Sequence, residues 1–270
     1  MSESSTPPRD QSAALTYMSY LALDEVLAAQ RPRSDEHDEM LFIVIHQVYE
    51  LWFKQLLHEL DHLQFKLEKV DTAHSVRTLR RALTILKVVV AQIDVLETMT
   101  PRQFTSFRAR LDAASGFQSG QFRELEAVLG RRDKRMLSPH PKDSTAHERI
   151  AAAMARRSLF DSFLQYLAGS GYDIPPEYLN RDLRTQWAPA EEVQRVLVQV
   201  YADDAGPSTV ADLLVDLDEG MQEWRYRHVK MVERTIGAKA GTGGSAGVAY
   251  LQQTLFQPMF PDLWAVRSQL

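Results

Sequence analysis

The chain has 270 residues, a formal net charge of −5 and no cysteine, and 44% of its residues are hydrophobic. That balance describes a globular chain with a sizeable core and argues against general nucleic-acid binding, which shows as a basic domain or stripe. Without cysteine there are no disulfides, thiolate nucleophiles, zinc knuckles or cysteine-held iron–sulfur clusters, a composition that fits the cytoplasm.

Residues 1–13, "MSESSTPPRDQSA", hold Ser, Pro and charge with nothing to bury and no apolar run of a secretory signal. They are expected to be a disordered tail, with a single domain over 14–270. No stretch approaches the 18 or so uncharged apolar residues of a membrane span. "LTYMSYLALDEVLAAQ" (15–30) predicts a short amphipathic helix. Ser34 is the expected N-cap of a long helix over about 35–68, with His37 at N3 and acidic residues in its first turn. A further helix over about 73–97 carries Leu79, Leu83, Leu86, Val90 and Ile93 at helical spacing. Thr100-Pro101 starts a short helix with proline at its first position. After an irregular Ser/Gly turn comes another helix, closed by Gly130. The basic run "GRRDKR" (130–135) reads as a solvated loop. Helices are then expected over about 146–167, 191–202 and 208–236, followed by the glycine-rich "GAKAGTGGSAGVAY". Period-2 alternation appears nowhere, so the fold class is all-α, one domain of long helices.

The most conspicuous motif is His58-Glu59-Leu60-Asp61-His62, the H-E-x-x-H pattern of a zinc-protease helix. Helical phase argues against it. At 100° per residue from Phe42, the residues Phe42, His46, Tyr49, Phe53, Leu56 and Leu60 cluster within about 40° of zero. His58 and His62 fall at about 160° and 200°, beside Lys54, Asp61 and Lys69. Phe65 and Glu68 stand where the longer zinc motif would continue with Gly and His, so both histidines read as surface residues.

Two lone histidines point the other way. His46 sits on the apolar stripe between Phe42 and Tyr49. His228 sits on the stripe Val210, Leu213, Leu214, Leu217, Met221, Trp224, His228, Met231, Val232, Thr235, with Arg225, Arg227, Lys230 and Arg234 mainly elsewhere. Each is either a hydrogen-bonded core histidine or a ligand, and an imidazole aimed into an apolar cavity is what a proximal haem ligand looks like. Spacing alone leaves both open. The loop around Thr242 follows a helix and lacks Lys-Ser/Thr after its glycines, so it is neither a dinucleotide fingerprint nor a phosphate loop; it is a lid or a linker. Arg108, one turn after Phe104, is a carboxylate clamp or a structural ion pair.

Four segments, "LTYMSYL", "DEMLFIVIHQVYELWFKQLLHELD", "MTPRQFTSFRARLDAASGFQSGQFRELE" and "WRYRHVKMVERTIGAKAGTGGSAGVAYL", closely resemble the tryptophan 2,3-dioxygenase family, in the family's order over almost the whole chain. The resemblance implies an all-helical homotetramer, a dimer of dimers, with one haem b per subunit and O2 as co-substrate. It implies insertion of both oxygen atoms across the indole C2=C3 bond of L-tryptophan, giving N-formyl-L-kynurenine. His228 in "WRYRH" matches the proximal iron ligand, and His46 in "FIVIHQ" the distal histidine that bonds the indole N–H. Phe42 and Phe104 match the residues packing on the indole, Arg108 the carboxylate clamp, and Thr242 the loop threonine over the amino-acid end. Ser115 matches a serine near the haem edge. Tyr17, Tyr20 and Leu21 match a segment reaching into a neighbouring subunit's site. Departures are small: Met18 and Ser19 lie between the tyrosines, and Phe104 occupies a position that is Tyr in some members. A haem carrier and a zinc hydrolase remain the competing classes.

Overall fold

The computed structural model describes residues 14–111, 114, 116–237, 239, 251–252 and 255–270. The expected tail over 1–13, Ser115 and Thr242 lie outside them. Among the described residues the regular elements are helices, with no strand, which bears out the all-α class.

Two short helices, α1 (Tyr17–Tyr20) and α2 (Leu23–Leu27), stand where one was expected, separated by Ala22 in the left-handed region at φ 49°. The long α3 (His37–Glu68) follows. Ser34 is not its N-cap. Glu36 takes that place without a side-chain bond. Glu39 is the reason: its buried carboxylate reaches back to accept the N–H groups of Arg33 and Ser34 at 2.8 Å and the Ser34 hydroxyl at 2.5 Å. A charged acceptor thus ties down the incoming strand of chain and draws the Ser34 hydroxyl away from capping.

Asp71 caps α4 (Thr72–Leu96) by accepting from the His74 N–H. Thr100 caps α5 (Pro101–Arg108) in a reciprocal box with Gln103, with proline at the start as the sequence predicts. Ser119 caps α6 (Gly120–Leu129), and Gly130 closes it at φ 125°, a conformation side chains resist. The helix expected over 146–167 is two helices, α7 (Thr145–Ala155) and α8 (Leu159–Gly169). Ser158 breaks the run by forming a capping box with Asp161, and Arg181 holds that carboxylate with contacts of 2.7 and 2.9 Å. The short α9 (Pro176–Leu179) precedes α10 (Glu191–Ala202), α11 (Gly206–Ile236) and a last short helix, α12 (Pro261–Ala265).

Helix α4 packs along both α3 and α11, and α5 bridges α3 and α11 at one end. Gly220 permits the close approach of α11 to α4, since a Cβ there would lie 2.7 Å from the Leu86 Cδ2. Most of the buried apolar side chains form one cluster from Ile45 to Val266. No helix among the described residues is long and apolar enough to cross a membrane.

The basic run after α6 is solvated only at its end: Lys134 and Arg135 are exposed, whereas its middle is not. Arg132 is buried and donates to the carbonyls of Ala127, Arg131, Arg156 and Leu183. Guanidinium offers five donors in a fixed fork, so it can serve several chain ends at once. Arg225, expected off the buried face of α11, is also buried, because α6 and the C-terminal segment cover that side: it donates to Glu126 at 3.2 Å and to the Gln257 carbonyl.

Candidate active site

Helix α3 presents Phe42 and His46 one turn apart, with ring centroids 4.1 Å from each other. The His46 Nδ1 lies 2.7 Å from the Phe42 carbonyl oxygen. A carbonyl only accepts, so Nδ1 carries the proton and Nε2 keeps a free lone pair. Burial lowers the His46 pKa against weaker opposing effects of the Phe42 bond and Glu50, so the ring is neutral at pH 7.

Helix α5 closes the aromatic side. Phe104 stands 5.7 Å from Phe42, and Phe107 stands 5.6 Å from Phe42 and 5.5 Å from Phe104 in an edge-on arrangement. Phe107 is fully buried and anchors the trio. Arg108, in the last turn of α5, follows it directly and is half-buried. A helical turn separates Phe104 from Arg108, so one short capped helix offers an apolar face and a cation side by side.

Helix α11 supplies His228. Its ring stacks on Trp224 one turn earlier, at 5.1 Å with an interplanar angle of 5°. Trp224 in turn meets Phe122 at 4.7 Å and Phe53 edge-on at 6.2 Å. Burial pushes the His228 pKa down to about 4, and the charges of His46 and Arg123 push in the same direction. His228 is therefore a neutral imidazole at pH 7, and His46 lies close enough for a charge on one ring to disfavour a charge on the other.

Phe42, His46, Phe104, Arg108 and His228 thus come from three helices that pack together. Tyr17, Tyr20 and Leu21 do not join them within this chain: they are exposed on and just after α1. Three residues escape the sequence reading. Phe107 had a signal, three positions after Phe104. Trp224 had one too, one turn before His228. Arg123, buried on α6, had none beyond its place in "GQFRELE".

The H-E-x-x-H motif has a different fate. His58 and His62 are exposed. Glu59 is buried and engaged by Gln55 at 2.7 Å and Arg81 at 3.1 Å. Among the described residues no group of three His, Asp or Glu is placed to hold a metal ion.

The fold defines an all-helical protein that brings two neutral imidazoles, one beside Phe42 and one stacked on Trp224, near each other among aromatic rings. The sequence model of the family described as tryptophan 2,3-dioxygenase matches residues 2–171 and 185–270. A protein named tryptophan 2,3-dioxygenase in Anaeromyxobacter dehalogenans (strain 2CP-C) is 66% identical over 267 residues, covering 98% of this chain and all of its own length. Proteins of the same name in Anaeromyxobacter sp. (strain K) and Herpetosiphon aurantiacus are 65% and 56% identical, covering 98% and 96% of this chain and all of theirs. The chain belongs to the tryptophan 2,3-dioxygenase family, whose members are haem enzymes that use O2.

The residues present fit such a group. A metal needs an unprotonated imidazole, and His228 is one. Its flank is aromatic, and the Trp224 indole N–H is buried with no acceptor among the described residues.

Proposed function

We propose that the pocket between α3, α5 and α11 is where this chain oxidises L-tryptophan to N-formyl-L-kynurenine, the first step of degradation through kynurenine. Both atoms of O2 add across the indole C2=C3 bond. His228 would hold the iron of haem b, one per subunit. The chemistry such a group supplies is activation of O2; the protein positions and desolvates the substrate.

One observation carries the reading. The His46 Nδ1 is committed to the Phe42 carbonyl, so its neutral Nε2 is left as an acceptor beside an aromatic wall. An indole N–H is a donor on an aromatic ring, the complement of that pair. Phe42 and Phe104 flank the ring plane, and Arg108 pairs the carboxylate in bidentate fashion. Thr242 binds the amino-acid end, Ser115 lies at the cofactor edge, and Tyr17, Tyr20 and Leu21 close the site of a neighbouring subunit in a homotetramer, a dimer of dimers. The exposure of Tyr17 at 74% and Tyr20 at 71% suits residues that another subunit covers. The enzyme works in the cytoplasm.

The test is an absorbance spectrum of the purified protein, followed by tryptophan, O2 and a reductant. A Soret band and formation of N-formylkynurenine are expected. A Soret band without product would make the protein a haem carrier. A colourless protein containing zinc would make it a hydrolase.

A further inference from the structure

Tryptophan N–H groups are satisfied unevenly in this fold. Two of the four tryptophans find a buried carboxylate. The Trp187 Nε1 donates to Asp262 at 2.5 Å, and the Trp264 Nε1 donates to Asp218 at 3.0 Å. Both carboxylates belong to residues with no exposure, and both accept further bonds. Trp52 and Trp224 lack any acceptor among the described residues. They differ in company: Trp52 makes no ring contact among those residues, whereas Trp224 lies parallel to His228.

Leaving a buried N–H without an acceptor costs about 1–3 kcal/mol, and native folds rarely tolerate it without a reason. Trp224 is not loosely held. Phe122 and Phe53 clamp its ring, and the parallel stack fixes it to the imidazole. The Arg123 guanidinium also lies 5.5 Å from the Phe122 ring centroid, so positive charge stands near the same aromatic group. Arg123 is itself paired with Glu126 at 2.5 Å. The vicinity of Trp224 therefore offers a donor and a cation, and the orphaned donor belongs to the ring that sets the plane of His228.

We propose that Trp224 is a positioning residue for the cofactor: its ring holds the imidazole of His228 in one plane, and its N–H donates to a carboxylate carried by the group that His228 binds. The inference rests on the haem reading of the site, since haem b is the ligand with carboxylates that such a donor would meet. The two functions separate chemically. Phenylalanine keeps an aromatic ring and removes the donor; leucine removes both.

The experiment reconstitutes the full-length wild type, W224F and W224L with haem and uses two readouts independent of turnover. One is the rate of haem loss to excess apomyoglobin. The other is the iron–histidine stretching band of the ferrous protein by resonance Raman. W224F should lose haem about tenfold faster, the equivalent of one hydrogen bond, with its iron–histidine band unmoved. W224L should lose haem faster still, with a shifted or broadened band. Wild-type haem retention in W224F would overturn the donor. An unshifted band in W224L would overturn the stacking role. Should W224L fail to fold by circular dichroism, Trp224→His, which keeps an aromatic ring and a donor N–H, must restore slow haem loss relative to W224F, and its failure would overturn the proposal. Wild-type protein that takes up no haem would reject the reading of the site itself, which distinguishes the two failures.

Discussion

The two sides of α11 treat buried polar atoms in opposite ways. On one side, Arg225 and Asp218 are fully engaged. Arg225 meets Glu126, the Gln257 carbonyl and the Met259 sulfur, and Asp218 accepts from Gln222, the backbones of Met259 and Phe260, and Trp264. On the other side, the Trp224 N–H has no acceptor among the described residues, and His228 is kept neutral. The first side is finished as it stands: a buried charge must be paired in the protein itself, because removing one partner strands the other. The second side, on the proposed reading, is completed by a ligand. One helix therefore anchors the C-terminal segment with one set of residues and, in the proposed function, presents a metal ligand with another, and the rigidity of the first set fixes the aim of the second.

The sharpest way to break that contrast is at His228. His228→Ala should abolish haem uptake, leaving under about 1% of wild-type turnover, with the helical circular dichroism intact. Normal haem content in this variant would place the ligand elsewhere. At the neighbouring Arg225 cluster, Glu126→Gln should destabilise the fold by about 3–5 kcal/mol, read by chemical denaturation, because Arg123, Arg131 and Arg225 lose their shared carboxylate. A change within about 0.5 kcal/mol would show that the cluster is not structural.

Acid should act through the same face. Burial pushes the Glu126 pKa up, but Arg123, Arg131 and Arg225 more than reverse it, so the net shift is below the ordinary 4.5. Asp161 is lowered in the same way from 3.8, burial opposed by Arg181 and Ser158. A carboxylate with a depressed folded pKa contributes stability above its unfolded pKa and loses it as pH falls through the folded value. Melting temperature should therefore drop below about pH 4.5, and the drop should be shallower in Glu126→Gln. Equal slopes would remove Glu126 from the account.

At the substrate end, Arg108→Ala should raise KM for tryptophan on the order of 100-fold while changing that for tryptamine, which has no carboxylate, by far less. Equal effects would reject the clamp. His46→Ala should slow turnover about tenfold without abolishing it, since in the proposed role the ring accepts a hydrogen bond from the indole and need not remove the proton. Complete loss with haem retained would make His46 a base. The smallest effect belongs to His58→Ala and His62→Ala, which should leave activity and stability within about 0.5 kcal/mol of wild type.

Much of this was legible in the chain. The spacing that puts His46 beside Phe42 and turns His58 away from it is local, and a helix enforces it whatever packs nearby. The start of α5 follows from a cap and a proline within a few residues, and α10 spans the expected 191–202. Other features were not legible. The break between α7 and α8 arises because Asp161 has two uses, capping Ser158 and receiving Arg181 from twenty positions away. The burial of Arg132 depends on carbonyls up to 51 positions distant.

The sequence by itself determined the long helices, the faces on which His46, His58, His62 and His228 lie, and the family. It could do so because helical phase and short-range capping are properties of neighbours in the chain. Only the tertiary structure decided which polar atoms are satisfied. The Glu126–Arg225 pair joins residues 99 positions apart, and the Trp264–Asp218 bond spans 46. Whether a donor such as Trp224 Nε1 finds an acceptor depends on what packing brings to it across such distances. That is why the residue on which the cofactor proposal rests could be placed on a stripe from sequence, but its unmet hydrogen bond could not.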